Sequence, residues 1–153
     1  MGTHLWQEEE EETMKLLKVS FRHTKDTQAL HAMHSLILPD DDVPSLNPNV
    51  AAWLGWADKT PVAFCTARYW REESAVFLER AGVLPIAGGH GLQRRMIRLR
   101  ESWAKQKGAE CVLTYVSARN YESLVNLLRC GYRFYEPVYP WGVADGHYFK
   151  KEL

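Results

Sequence analysis

Apolar positions along this chain change period several times, and each change marks an element. Residues 14–21 (MKLLKVSF) read as a first strand. Leu30, Met33 and Ile37 then recur at helical spacing behind Asp26, which suits an N-cap. That helix should stop before Pro39, since the residue preceding a proline disfavours helical dihedrals. Three Asp, two Pro and two Asn within residues 40–49 predict a loop. Residues 50–56, 61–69 and 75–84 are rich in Val, Ala, Phe and Trp. With turn-like breaks at Asp58-Lys59 and Arg71-Glu72-Glu73, they predict two hairpins of a three-stranded antiparallel meander. After a glycine loop at residues 87–91, Leu92, Met96, Leu99 and Trp103 recur every three or four residues. They mark a long amphipathic helix ending near Gly108. Residues 111–116 form a short apolar run of the kind found in central strands. Asn120 opens another helix with Leu124, Leu127 and Leu128 inward and Gly131 as its stop, and residues 132–139 and 147–151 read as closing strands. There are no internal repeats. The order predicts an α/β (α+β) sandwich with helices covering a mixed sheet.

Composition narrows the class. The 153 residues are 46% hydrophobic, 12% aromatic and 25% charged, a folded profile of about one domain, large enough to need no disulfide or metal staple. Nineteen basic against nineteen acidic side chains leave zero formal charge, which argues against a dedicated nucleic-acid binder. No apolar run approaches ~18 residues, so no membrane span is expected. The start, MGTHLWQEEEEE, is acidic where a secretory signal is basic and then apolar, so the expected location is cytoplasmic. Five successive glutamates repel one another; residues 1–13 are expected to be a flexible acidic tail before a domain at 14–153. Cys65, Cys111 and Cys130 are odd in number and widely spaced, so neither a disulfide framework nor a zinc site is expected, and the first two should be buried thiols.

The segment from Val83 to Arg94 (VLPIAGGHGLQR) carries the clearest chemistry: a strand runs into a glycine-rich turn and straight into a helix. Glycines permit close backbone approach, and the free amides and positive dipole end of a helix start favour phosphate. Arg94 and Arg95 could add charge-assisted bonds. A purely structural turn gives the same pattern. No Gly-Lys-Ser/Thr follows, so it is not a P-loop, and the antiparallel strands before it make a poor dinucleotide fingerprint.

Val83-x-Pro85, Gly89-x-Gly91-Leu92, the helix and strand that follow, and Asn120-x-x-Ser123 leading to Cys130-Gly131-Tyr132 resemble the GNAT acetyltransferase superfamily. The wording of residues 78–85 and 89–95, with Pro140-Trp141-Gly142 and Tyr148-Phe149, is similar to small phage-encoded GNAT proteins. The resemblance implies a mixed, mostly antiparallel central sheet flanked by helices, acetyl-CoA as cofactor, and an N-acetyltransferase acting on a primary amine by direct attack on the thioester. It implies that the backbone of Ala81, Gly82 and Val83 pairs with the pantetheine arm. Gly88, Gly89, His90, Gly91, Leu92, Gln93 and Arg94 would hold the pyrophosphate, and Asn120 and Ser123 would lie near the reacting end. Gly82 in a strand suits a bulge or close approach. The family usually has Arg or Gln at Gly88, Gly or Ala at Gln93, and often a proton-donating Tyr where Leu127 stands. Those departures keep open a second reading, a degenerate domain that binds CoA, protein or nucleic acid without catalysis.

An amine acceptor must lose a proton, since a lysine-type amine has a pKa of about 10.4. Glu79 is the candidate base: on an alternating strand it shares a face with Phe77, Ala81 and Val83, an apolar setting that raises a carboxylate's pKa. A structural ion pair with Arg80 or another strand is its alternative. Tyr115 is the candidate acid, with Tyr121 and Tyr132 behind it, though packing is the commoner fate of such rings. Cys130 as nucleophile would need a base partner, and no His adjoins it. His31 and His34 read as solvated histidines rather than metal ligands. His90 would be exposed in the loop. The basic residues of helix 92–107 read as a solvated face, Trp141 could wall an acceptor pocket, and the last strands could pair across a homodimer.

Overall fold

The computed structural model describes residues 18–43, 45–142 and 145–153. The expected acidic tail and residues 14–17 of the expected first strand lie outside them. Among the described residues, seven strands form one sheet in the order β1-β2-β3-β4-β5-β7-β6, with three α-helices packed on it. The strands are β1 (Val19–Thr24), β2 (Val50–Ala57), β3 (Thr60–Trp70), β4 (Ala75–Val83), β5 (Cys111–Ser117), β6 (Arg133–Phe134) and β7 (Gly146–Glu152). The helices are α1 (Thr27–Ile37), α2 (Leu92–Lys107) and α3 (Tyr121–Arg129). Every ladder is antiparallel except β4 with β5.

Local signals account for most boundaries. Asp26 Oδ1 accepts from the Ala29 amide at 3.1 Å and opens α1. Asn120 Oδ1 accepts from Ser123 N at 3.3 Å and opens α3. Gly108, at φ 79°, closes α2 in the left-handed region that glycine adopts without strain. The meander turns as expected at Asp58-Lys59 and through a 3-10 turn at Arg71–Glu73.

One face of the sheet buries Cys65, Val76, Leu78 and Val112 against Leu92, Met96 and Ile97 of α2 and Leu127 of α3. The other buries Ala52, Leu54 and Phe64 beneath Leu30 and Met33 of α1. Each such fully buried large side chain contributes about 1.5–3 kcal/mol. A smaller cluster of Ala75, Cys111 and Leu113 is covered by Phe77, Tyr135 and Trp141.

Four expectations are corrected. The first strand runs Val19–Thr24, three residues past the expected end at Phe21, because each of its residues pairs with β2. The closing strand expected at 132–139 is only Arg133–Phe134, since Pro137 and Pro140 supply no ladder amide. Leu128 is 49% exposed and faces outward. His34 is not solvated: it is 0% exposed, tilted against the Phe64 ring at 5.4 Å, with neither ring nitrogen hydrogen-bonded.

Burial, reinforced by the Arg80 charge, holds the His34 pKa below its ordinary 6.5. The sign follows from proton binding. Between the folded and unfolded pKa values only the unfolded chain is protonated, so stability is full above pH 6.5 and falls as pH drops toward the folded value. Urea midpoints should therefore decline from pH 7 to 5.5. His34→Leu should remove this residue's part of the slope while keeping the fold, because replacing unpaired buried polar atoms by apolar ones is near neutral or stabilising. An unchanged slope in the variant would count against this account.

Candidate active site

The site begins at a register fault. Across β3 and β4, Cys65 faces Ala81 while Ala67 faces Leu78, so Thr66 lies opposite both Glu79 and Arg80. This is a bulge in β4, and it re-aims side chains. Arg80 N donates to Thr66 Oγ1 at 3.1 Å and closes the fault. Strict alternation therefore fails here. Phe77 and Glu79 line one cavity, whereas Ala81 and Val83 join the core cluster on the opposite face. The bulge lies at Glu79–Arg80 rather than at Gly82. Gly82 is needed for a different close approach, because a Cβ there would meet Ile37 Cγ2 of α1 at 2.5 Å.

A fork opens next to the bulge. β4 and β5 pair only from Ala75↔Cys111 to Phe77↔Leu113 and then separate. Thr114 Oγ1 donates to the Leu78 carbonyl at 3.1 Å at the point of parting. The fork holds a cleft of about 250 Å³ reaching from Ala81 and Gln93 past Asn120 and Ser123 to Leu127. At its outer end the glycine loop lines a second hollow of about 320 Å³, with Val83, Gly88, Gly89, Gly91, Leu92 and Arg94 on its wall. Gly89 and Gly91 take φ of 78° and 71°, and no side chain caps α2. First-turn amides have no intrahelical acceptor, so this helix start presents bare donors, as a phosphate cradle requires. His90 is half-buried rather than exposed, and neither His90 nor Gly82 lines these hollows.

On the other side of the fork lies a cavity of about 670 Å³ walled by Phe77, Tyr115, Trp141 and Gly142. Trp141 meets Phe77 edge-on, at 4.8 Å and 88°, so the late turn does wall this cavity. Glu79, Arg80 and Tyr115 line both this cavity and the fork. Glu79 is not in an apolar setting. Arg68 Nε, from the residue paired across the ladder with Phe77, donates to Glu79 Oε1 at 2.5 Å. Arg80 turns to Asp41 instead, at 2.9 Å. Tyr115 packs beside Tyr148 at 5.0 Å, and partial burial followed by Tyr148 and Asp145 raises its pKa.

The other candidates are placed away from the fork or shut in. Tyr121 is 72% exposed on α3. Tyr132 is buried against Glu101, and burial drives its pKa far up. The three cysteines are free and buried; burial pushes Cys65 up to about 11 and raises Cys111 and Cys130, so none is poised as a nucleophile. Among the described residues no group of three His, Cys, Asp or Glu could hold a metal. Helix α2 is not solvated throughout its basic residues. Arg95 Nη2 donates to Val19 O at 2.8 Å, and Arg100 is 3% exposed. Arg100, Ile97 and Asn126 line the fork; Ile97 and Asn126 were not singled out from the sequence, and Arg100 was read with the solvated basic face, although it stands four residues after Met96, on the buried stripe.

A cradle, a fork and a second cavity meeting at a carboxylate and a phenol can hold a long anionic donor on one side and an acceptor on the other. The family model of the Acetyltransferase (GNAT) family matches residues 5–132, and the chain belongs to that family. No curated protein matches it significantly. Its fold is similar to a Bacillus subtilis acetyltransferase in complex with CoA, at TM-score 0.73 and 16% identity over 89% of this chain and 99% of that one. It is also similar to a GNAT family acetyltransferase from Elizabethkingia anophelis with acetyl-CoA bound, at TM-score 0.72 and 14% identity over 88% and 98%. A third is the ribosomal-protein-S18-alanine N-acetyltransferase of Escherichia coli, at TM-score 0.69 and 15% identity over 88% and 92%.

Proposed function

We propose that this protein is an acetyl-CoA-dependent N-acetyltransferase that acylates a primary amine held in the cavity beside Trp141. One observation carries the reading: the fork, which opens onto the glycine cradle at one end and meets the acceptor cavity at Glu79, Arg80 and Tyr115 at the other. The residues fit the cofactor. Amides from Gly88 to Arg94 would hold the pyrophosphate, and the edge of β4 from Ala81 to Val83, unpaired with β5, would pair with the pantetheine amides. Asn120 and Ser123, on the wall of the fork, would flank the arm near its reactive end. Acetyl-CoA supplies an activated thioester.

The chain's own groups do the rest. Glu79, steadied by Arg68, takes the proton of the incoming amine, directly or through one water. Backbone amides of β4 near Val83 would polarise the acyl oxygen. Once the carbon–sulfur bond has broken, Tyr115, which lines the fork, returns a proton to the departed sulfur. Similarity to small phage-encoded members, a cytoplasmic location and a homodimer through the closing strands belong to the same proposal.

A thermal-shift titration with acetyl-CoA, CoA and ATP tests it. Ligand at 100-fold over Kd should stabilise the fold by about 2.7 kcal/mol, seen as a rise in Tm with both CoA species and not with ATP. Thiol release on adding amines then separates catalysis from binding. A rise in Tm without release for any amine would favour the non-catalytic reading that Leu127, on the wall of the fork, keeps open.

A further inference from the structure

Arg100 is a buried cation without a carboxylate. It is 3% exposed, and no acidic oxygen among the described residues lies within 4.0 Å of it. Its Nε donates to Met96 O at 3.0 Å and its Nη1 to Thr66 O at 3.3 Å, both backbone carbonyls that carry no charge. Glu101, next in sequence, turns to Lys151 at 2.8 Å. Fully buried arginines are otherwise paired, because an uncompensated charge in low dielectric is costly. Arg100 lines the fork together with Leu78, Ile97, Thr114 and Leu127, on a wall that also carries Gln93, Asn120 and Asn126. The Thr66 that receives Nη1 also accepts from Arg80 N, which ties the guanidinium to the bulge. The other titratable groups near it are Cys65, whose thiol its charge pulls down against burial, and Tyr132, affected in the same sense. Glu79, Asp41, Arg80 and Tyr115 line the same cleft.

We infer that Arg100 is the fixed positive charge beneath the fork that stabilises the sulfur anion left when the thioester is cleaved. This rests on the acetyl-CoA reading above. In that step the amine nitrogen bonds to the acyl carbon and the carbon–sulfur bond breaks with its electron pair on sulfur. The proton lost by nitrogen passes to Glu79 or to water. A buried cation fixed by two backbone carbonyls acts on that sulfur more strongly than a freely hydrated cation would, because it is already oriented and little solvent must reorganise around it. It also relieves the need for a proton donor at Leu127.

The test uses binding rather than turnover. Calorimetric affinities of the wild-type protein for CoA and for desulfo-CoA, which lacks the thiol, are compared from pH 6.5 to 9. A thiol ionises near 8.5 in water. If Arg100 favours the thiolate, the ratio of CoA to desulfo-CoA affinity should rise at least about tenfold across that range, since one unit of pKa is tenfold. Arg100→Met should flatten the rise, and Arg100→Lys should keep part of it. Parallel curves for the two ligands in the wild type overturn the inference without any variant. So does an Arg100→Met protein that keeps the rise, or one that loses both ligands equally with no change in ratio, which would make the residue a brace for the bulge. If the wild type binds neither ligand, the acetyl-CoA reading itself fails, and that outcome is distinct from the others.

Discussion

Glu79→Gln should lower kcat for an amine acceptor about 100- to 10,000-fold at pH 7, the range that a positioned general base contributes. The side chain is placed for such work at the junction of the fork and the acceptor cavity, where an amine on the Trp141 side would meet the thioester. Its pairing with Arg68 fixes the carboxylate's direction. A glutamine retains size and can still accept from Arg68, but it cannot take a proton. The loss should shrink as pH rises toward the amine pKa of about 10.4, because solution then supplies the neutral amine that Glu79 would otherwise make. Stability should change by about 1 kcal/mol or less, since Arg68 is 53% exposed and water can replace its partner. Full kcat from pH 6 to 9 would remove Glu79 from the mechanism. Unchanged kcat with a raised KM would make the Arg68–Glu79 pair a feature of acceptor binding.

The reading of Glu79 from sequence had the right strand and kept open an ion pair with another strand, which Arg68 supplies, but it placed Glu79 on one face with Ala81 and Val83, and that failed for a physical reason. Period-2 alternation held from Ala75 to Leu78 and failed at the bulge, where two residues of β4 face one of β3. A bulge has no strong sequence mark; Gly82 drew attention to the wrong position, because its missing side chain makes room for Ile37 of α1. Arg68 stands eleven residues before Glu79, and only the ladder register brings them together. By contrast, the glycine loop, the start of α2 and the Asn120 cap were legible because each is set by local dihedral and hydrogen-bond demands within a few residues. His34 and Arg100 were misread together. Both are polar residues on an inward stripe, where a pattern of residue types suggests a solvated face and only packing shows burial. The fold thus followed from local rules, while the chemistry depends on long-range contacts.

Gly146→Ala should disable the protein through Tyr115. In β7, Gly146 lies under the Tyr115 ring, where a Cβ would come within 2.1 Å of both Cζ and the hydroxyl oxygen. At Gly142 a Cβ would lie 2.3 Å from Cδ2, so the ring rests in a trough of two glycines. Its other neighbours, Tyr148 at 5.0 Å and Trp141 at 6.2 Å, leave it little room to slide. Gly146 does not have a positive φ, so alanine is acceptable to the backbone, and the three nearest atoms its Cβ would meet all belong to the Tyr115 side chain. Overpacking of this kind costs about 1–3 kcal/mol, and the least costly escape is for Tyr115 to swing out of its position between the two cavities. A displacement of about 1 Å at a reacting group can cost 100-fold, so kcat should fall by one to two orders of magnitude with a modest drop in Tm. The decisive comparison is a double-mutant cycle. In a Tyr115→Ala background the added methyl meets no ring, so Gly146→Ala should cost almost nothing further in kcat or Tm. Equal losses in both backgrounds would show that Gly146 matters for β7 itself and that Tyr115 is not held where the fork needs it.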